Sequence, residues 1–320
     1  MELLNGLVVW RELKPNTAWA LCGVITLLVA GSLAVRVLRV LRPQKDFTEL
    51  RLRVRTWWVM AGLFVLALAL KDTYAICFFG FISFLALKEF LSLIPTRRAD
   101  RRVLFWAYLA IPFQYYWVSI GWYGMFIAFI PVFVFIALPV RMVMIGETSG
   151  FIRAVGTLHW GLMTTVFTLS HIAYLLVLPM AGNPVAGGAG LVLYLVGLTQ
   201  LNDVAQYCWG KSFGKHKVIP LVSPNKTWEG LIGGIATTTA LAVALAPVLT
   251  PLTRREALLA GLIIGPGGFL GDATIASFKR DLGIKDSGSI LPGHGGILDR
   301  VNSLTFTAPL FFHYIWYTHF

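Results

Sequence analysis

The sequence predicts an all-α fold, a polytopic integral membrane protein of about ten transmembrane helices with both termini outside the cytoplasm. Three observations predict it. Hydrophobic residues make up 57% of the 320 residues and charged residues only 13%, against roughly a quarter in soluble domains. Apolar stretches close to the ~20 residues that span a bilayer recur along the whole length. Basic residues gather after every second stretch, as cytoplasmic loops require.

The stretches fall at 17–35, 56–70, 73–94, 103–120, 122–140, 158–180, 189–209, 229–250, 257–276 and 303–319. Arg36, Arg39, Arg42, Lys45, Arg51, Arg53 and Arg55 follow the first, and Arg97, Arg98, Arg101 and Arg102 the third. Arg141 and Arg153 follow the fifth, and Lys211, Lys215, Lys217 and Lys226 the seventh. Lys279, Arg280, Lys285 and Arg300 follow the ninth. Odd-numbered spans therefore end in the cytoplasm; Arg254-Arg255 is the one dissenting loop. The net charge of +12 belongs to these loops rather than to nucleic-acid binding; the first of them, Arg36 to Arg55, is topogenic charge followed by the interfacial aromatics Trp57 and Trp58, and would also attract anionic membrane lipid. No cleavable signal peptide is expected ahead of the first span. Cys22, Cys77 and Cys208 lie in apolar stretches without metal-ligand or disulfide spacing, and are expected to be buried small hydrophobes. The aromatic-rich fourth and fifth spans, with Phe105, Trp106, Tyr108, Tyr115, Tyr116, Trp117, Trp122 and Tyr123, are expected to face lipid and interface. His159, His171, His313 and His319 are scattered singly and expected to ligate nothing. Lys88-Glu89-Phe90, at the end of the third span, divides evenly between a functional site and charges that reach the interface.

Two polar centres stand out from this background. The first runs from Asn202 to Gly230. Asn202, Asp203 and Gln206 sit near the cytoplasmic end of the seventh span, with Asp203 and Gln206 on one helix face. Ser223-Pro224 then reads as an N-cap and first helical residue. That reading sets Asn225, Lys226 and Thr227 in a first turn whose N–H groups favour an anion. The second centre is Gly271 to Ser303, the most polar run in the chain. Carboxylates alternate with cations there, and Gly293, Gly295 and Gly296 surround His294. Carboxylates hold hard cations, lysine and arginine hold phosphates, and glycines let backbone N–H groups approach an anion. Gly265-Pro266-Gly267-Gly268 is expected to break the ninth helix, with Asp272 after the break and Asp299 across the loop as a pair of metal-ligand candidates. Transfer of a nucleotide phosphate needs this combination of metal, cations and cradle.

The second centre resembles the signature of the phosphatidate cytidylyltransferases (CDP-diacylglycerol synthases). The likeness rests on Lys279-Arg280, Lys285-Asp286, Leu291 to Gly296 and Asp299-Arg300, preceded in order and spacing by Asp203, Gly210 to Lys217, Ser223-Pro224, Lys226-Thr227 and Glu229-Gly230. It covers roughly residues 200–304. The resemblance implies an enzyme that joins CTP to phosphatidic acid, giving CDP-diacylglycerol and pyrophosphate, in a bacterial inner or plasma membrane with its active site facing the cytoplasm. It implies metal on Asp272 and Asp299: Mg2+, with a second monovalent or divalent cation as its companion. Lys279, Arg280, Lys285, Asp286, His294 and Arg300 become the catalytic set. Asp203, Ser223, Asn225, Lys226, Thr227, Gly295 and Gly296 become the substrate-binding set. By analogy the enzyme is a homodimer. The whole chain, 1–320, is then one membrane domain: N-terminal helices over 1–199 as a lipid-facing scaffold, catalytic helices and loops over 200–304, and a last helix over 305–320.

The sequence departs from the family pattern at Ile275 and Ala276, where Glu-Ser is usual, and at Asn302, where an aspartate is usual. A divergent member with another phospholipid-like acceptor, or a catalytically silent one, is therefore the alternative. A transporter with a broken helix is a further one, opposed by the absence of an internal repeat.

Overall fold

A computed structural model describes residues 11–41, 47–94, 101–288, 290 and 295–320. Arg42, Lys45, Arg97, Arg98, Leu291, Pro292, Gly293 and His294 lie outside the described residues. The helices are α1 Pro15–Leu41, α2 Thr48–Ala69, α3 Asp72–Leu93 and α4 Arg101–Ser119. Next come α5 Tyr123–Val143 and α6 Phe151–Val177, each with one π-helical turn, at Phe129–Val134 and Met163–Phe167. The chain closes with α7 Gly187–Phe213, α8 Trp228–Leu249, α9 Arg254–Asp281, the one-turn α10 Leu298–Val301 and α11 Leu304–His319. An isolated antiparallel bridge joins Lys217 and Thr227.

Each of the ten apolar stretches falls on one of these helices. Among the described residues seven helices are long and apolar enough to cross a membrane: α1, α2 from Leu50, α3, α5, α6, α8 and α9. At 16 residues α11 is shorter than a usual span, and α7 carries Asn202, Asp203, Gln206 and Lys211 in its last half.

Helices α7, α8 and α9 pack on one another, α11 packs on α7 and α9, and α11 and α7 also pack on the second half of α6. The core follows these contacts: Leu191, Tyr194, Leu195, Ala242, Ala260, Ile264, Ala308, Phe311 and Phe312 are fully or almost fully buried. In contrast α1 buries only Thr17 and Leu21, and turns Trp19, Leu27, Val40 and Leu41 outward.

The expected break in the ninth helix is absent. α9 runs unbroken from Arg254 to Asp281 through Gly265-Pro266-Gly267-Gly268. Small residues serve close approach there instead. A Cβ at Gly261 would lie 2.5 Å from Thr239 Cα on α8, and one at Gly271 would lie 2.7 Å from the Asn302 carbonyl oxygen. Glycine in α9 thus lets backbones touch, the device of small-residue packing in membrane helices.

Three other expectations are corrected. The helix after the basic loop begins at Trp228 with Thr227 as N-cap, its hydroxyl accepting the Gly230 N–H. The bridge to Lys217 holds Thr227 extended, so Asn225 and Lys226 precede the helix. The three cysteines are exposed, because an apolar stretch in a lipid-facing bundle has apolar residues outside as well as inside. Tyr115 turns inward, hydroxyl to hydroxyl with Ser83 at 2.7 Å, while Phe105, Trp106, Tyr116 and Trp122 face outward. Beyond these corrections, the histidines scattered in sequence are not all apart in space: His171 and His313 are neighbours, with ring centroids 5.3 Å apart.

Candidate active site

The polar residues meet where the ends of α7 and α9 approach α10 and the start of α11. The helices are brought to register by Asn202 of α7, which is fully buried. Its Nδ2 donates to the Gly265 carbonyl of α9 at 3.1 Å, and its Oδ1 accepts from Thr238 of α8 at 3.0 Å. One amide therefore ties three helices. The next residue, Asp203, accepts the Ser303 hydroxyl at 2.9 Å. Gln206, three residues on, packs its side chain over Gly234 of α8.

Asp272 projects from α9 beside them. Its Oδ2 lies 2.5 Å from Lys226 Nζ, and its Oδ1 accepts the Asn302 amide at 2.5 Å. Lys226 also sits 4.5 Å from the Phe269 ring centroid, over its face. Two helical turns further along α9, Lys279 reaches Asp299 Oδ1 at 2.6 Å. Asp299 Oδ2 receives the Ser287 N–H at 2.9 Å, the Ser287 hydroxyl at 2.8 Å and the Gly296 N–H at 3.1 Å. Burial alone would raise the Asp299 carboxyl. The hydrogen bonds from Lys279, Ser287 and Gly296 outweigh it and hold the group below the ordinary carboxylate range.

Arg300 joins the two acid–lysine pairs. Burial lowers its guanidinium from the ordinary value, and the charges of Asp299, Asp203 and Asp272 oppose that shift. Its Nε is buried without a hydrogen-bond partner among the described residues. Arg53 of α2 acts on Arg300 as a like charge, so this one residue of the first basic loop lies within electrostatic reach of the site.

The expected glycines do approach carboxylates, but the carboxylates are the protein's own. Gly295 has φ +77°, and a Cβ there would lie 2.5 Å from Asp299 Oδ2. Gly296 lies under Glu89 of α3 so closely that a Cβ would overlap Oε1.

Of the residues singled out from the sequence, the structure gathers Asp203, Lys226, Asp272, Lys279, Gly295, Gly296, Asp299 and Arg300. Thr227 is adjacent, its hydroxyl engaged as the cap. Arg280 turns away, donating to the carbonyls of Val222 at 3.2 Å and Ile284 at 3.1 Å. Asn225, Lys285 and Asp286 are exposed and Ser223 half-buried around this centre; His294 is outside the described residues. Sequence reasoning passed over Ser287, Ser303 and Asn302 as contacts, and left Glu89 undecided. For Glu89 the available signal was an acid inside an apolar span.

Asp272 and Asp299 offer the carboxylate oxygens that a hard cation takes, and each is met by an ammonium, the charge a cation would supply. The donor set fits Mg2+, which binds through one or two carboxylates and fills its remaining positions with water and phosphate oxygens. Among the described residues no group of three or more His, Cys, Asp and Glu converges to form an all-protein cage.

The sequence matches the model of the cytidylyltransferase family over residues 51–318. It is 45% identical over 298 residues to the uncharacterized protein YnbB of Escherichia coli (strain K12), covering 93% of this chain and 98% of that protein. A phosphatidate cytidylyltransferase of Staphylococcus aureus (strain COL) is 44% identical over 125 residues, and one of Staphylococcus epidermidis is 41% identical over 133 residues. Each of these two alignments covers 38% of this chain and 48% of the relative. The chain thus spans about half the length of those two relatives.

Proposed function

Since the chain belongs to the cytidylyltransferase family, we propose that it is a membrane enzyme condensing CTP with phosphatidic acid to give CDP-diacylglycerol and pyrophosphate. The observation that carries the reading is Arg300, a half-buried cation whose enclosed Nε has no hydrogen-bond partner among the described residues, within electrostatic reach of the acids of the pairs Asp272–Lys226 and Asp299–Lys279. The partial identity to named phosphatidate cytidylyltransferases supports the choice of substrates.

A phosphate oxygen of phosphatidate attacks the α-phosphorus of CTP. The bond from the α-phosphorus to the bridging oxygen breaks, and pyrophosphate leaves with that electron pair. The attacking monoester is already anionic near neutral pH, so no general base is required. Arg300 binds the charge that builds on the equatorial oxygens. Lys226 and Lys279 turn from their carboxylates toward phosphate, with Lys285 and His294 assigned to the leaving pyrophosphate; Arg280, bonded to the Val222 and Ile284 carbonyls, braces the loop instead. Asp203 holds Ser303, and through it the start of α11. Asp272 and Asp299 would hold Mg2+, which would supply Lewis-acid charge neutralisation at the phosphates. The topology we adopt keeps ten spans, with both termini outside and this centre on the cytoplasmic side, supported by the sidedness of the basic residues.

A second reading, a different phospholipid-like acceptor, is favoured by one contact. Asn302 donates to Asp272 at a position where the resembled family carries an acid.

The deciding assay uses purified protein in lipid, labelled CTP, Mg2+ and phosphatidic acid, and follows a lipid-soluble cytidine product. Product from the wild type and none from Asp272→Asn or Asp299→Asn supports the reaction. CTP binding without product from phosphatidic acid turns the search to other acceptors. Neither binding nor product overturns the proposal.

A further inference from the structure

Outside the two acid–lysine pairs, the least exposed carboxylate residue among the described residues is Glu89 of α3, 6% exposed. It meets a segment some two hundred residues away. Oε2 accepts the Ile297 N–H at 2.8 Å; Oε1 accepts the Leu298 N–H at 3.1 Å and is within hydrogen-bond reach of the Ser287 hydroxyl. A buried carboxylate persists only when its oxygens are served in this way. Ser287 hydroxyl also faces Asp299 Oδ2 at 2.8 Å. Its single proton thus lies between two carboxylates, and the Ser287 N–H independently secures Asp299.

The backbone is shaped around Glu89. Gly296 is so close that any side chain would collide with it, and a Cβ on Gly288 would lie 3.3 Å from its carboxyl. The neighbouring residue fixes the rotation of α3: Phe90 stacks on Phe278 of α9, with centroids 4.8 Å apart, and packs against Trp160 at 5.4 Å. Phe278 precedes Lys279, the partner of Asp299. One stretch of α3 therefore grips both sides of that pair, the loop through Glu89 and α9 through Phe90.

We propose that Glu89 is a positioning residue for nucleotidyl transfer: through Ser287 and the Ile297–Leu298 backbone it orients Asp299 and Arg300 toward the reactants. The inference rests on the function proposed above. Glu89 touches no reacting atom, so its effect falls on turnover more than on nucleotide affinity.

The test compares full-length wild type, Glu89→Gln and Glu89→Asp in lipid nanodiscs, by steady-state kinetics and by hydrogen–deuterium exchange over 287–300. The expected result is a fall in kcat of roughly tenfold or more for Glu89→Gln, with KM for CTP within about threefold of the wild type. Partial recovery of kcat in Glu89→Asp and faster exchange at Ile297 and Leu298 in Glu89→Gln complete the expectation. Wild-type kcat in Glu89→Gln, or a loss carried mainly by KM, overturns the proposal; so does unchanged exchange at those amides. Should Glu89→Gln not fold, Ser287→Ala takes its place with the same criteria. If the wild type itself yields no product from CTP and phosphatidic acid, the functional reading fails, and the exchange data still decide whether Glu89 holds the loop.

Discussion

The Asn202 side chain donates to the carbonyl of Gly265, 3.1 Å away, at the residue before the proline of an unbroken helix. The same amide accepts from Thr238. Because it is fully buried, its loss strands a hydroxyl and leaves a carbonyl with one partner fewer. Asn202→Leu is expected to destabilise the protein by about 1–3 kcal/mol, read as a lower melting temperature in detergent. Asn202→Asp should behave worse, because it replaces the donor to Gly265 by an acceptor.

Lys226 is expected to be needed for charge and for reach. Lys226→Met removes the cation from Asp272 and should cut turnover by roughly a hundredfold, at the scale of losing one preorganised electrostatic contact. Lys226→Arg keeps the charge but has to fit a fork beside Phe269, and should recover part of it. Equal activity in all three proteins would remove Lys226 from the mechanism.

Asn302→Asp tests the departure from the family pattern. The amide that donates to Asp272 becomes an acid that repels it, beside Asp203. Without divalent cation the variant should melt lower than the wild type; with Mg2+ added it should regain more stability than the wild type does. A titration of melting temperature against Mg2+ reads both, and identical curves would show that position 302 is unrelated to cation binding.

Asp299 makes a prediction about pH. Its folded-state value is depressed, so its contribution to stability is fully present above the unfolded value of about 3.9 and is lost as pH falls through the lower, folded value. Stability should therefore show no Asp299 step between neutral pH and about pH 4. Lys279→Met removes one of the bonds holding the value down, and should move the acid limb of unfolding to higher pH. An unshifted limb in that variant would assign it to other groups.

The positions of the helices were legible because lipid imposes one length and one polarity on each. The gathering of Asp203, Lys226, Asp272, Lys279, Asp299 and Arg300 was legible because charges beside apolar spans have few reasons to be there. What stayed hidden depended on neighbours. Gly265-Pro266-Gly267-Gly268 reads as a breaker by local propensity, yet packing against α8 and α11 keeps it helical. Thr227 rather than Ser223 caps α8 because a bridge to Lys217 fixes its backbone. Glycines 295 and 296 were read as a cradle for a ligand anion, when the anions nearest them are Asp299 and Glu89. The second of these comes from a helix that sequence distance gave no reason to bring close.

The sparse burial of α1 bears on how this chain tolerates change. A helix that buries only Thr17, through a hydrogen bond to the Ala186 carbonyl at 2.8 Å, and Leu21, and otherwise rests along α2 with Ser32 accepting the Trp58 indole N–H at 2.8 Å, answers mainly to the solvent around it, and the family match begins only at residue 51. Apolar residues can replace one another along α1 at little cost, whereas in α9 a single methyl at Gly261 or Gly271 meets backbone. Two helices of nearly equal length in one polypeptide are thus under different rules of drift, one set by bilayer thickness and the other by the width of a glycine.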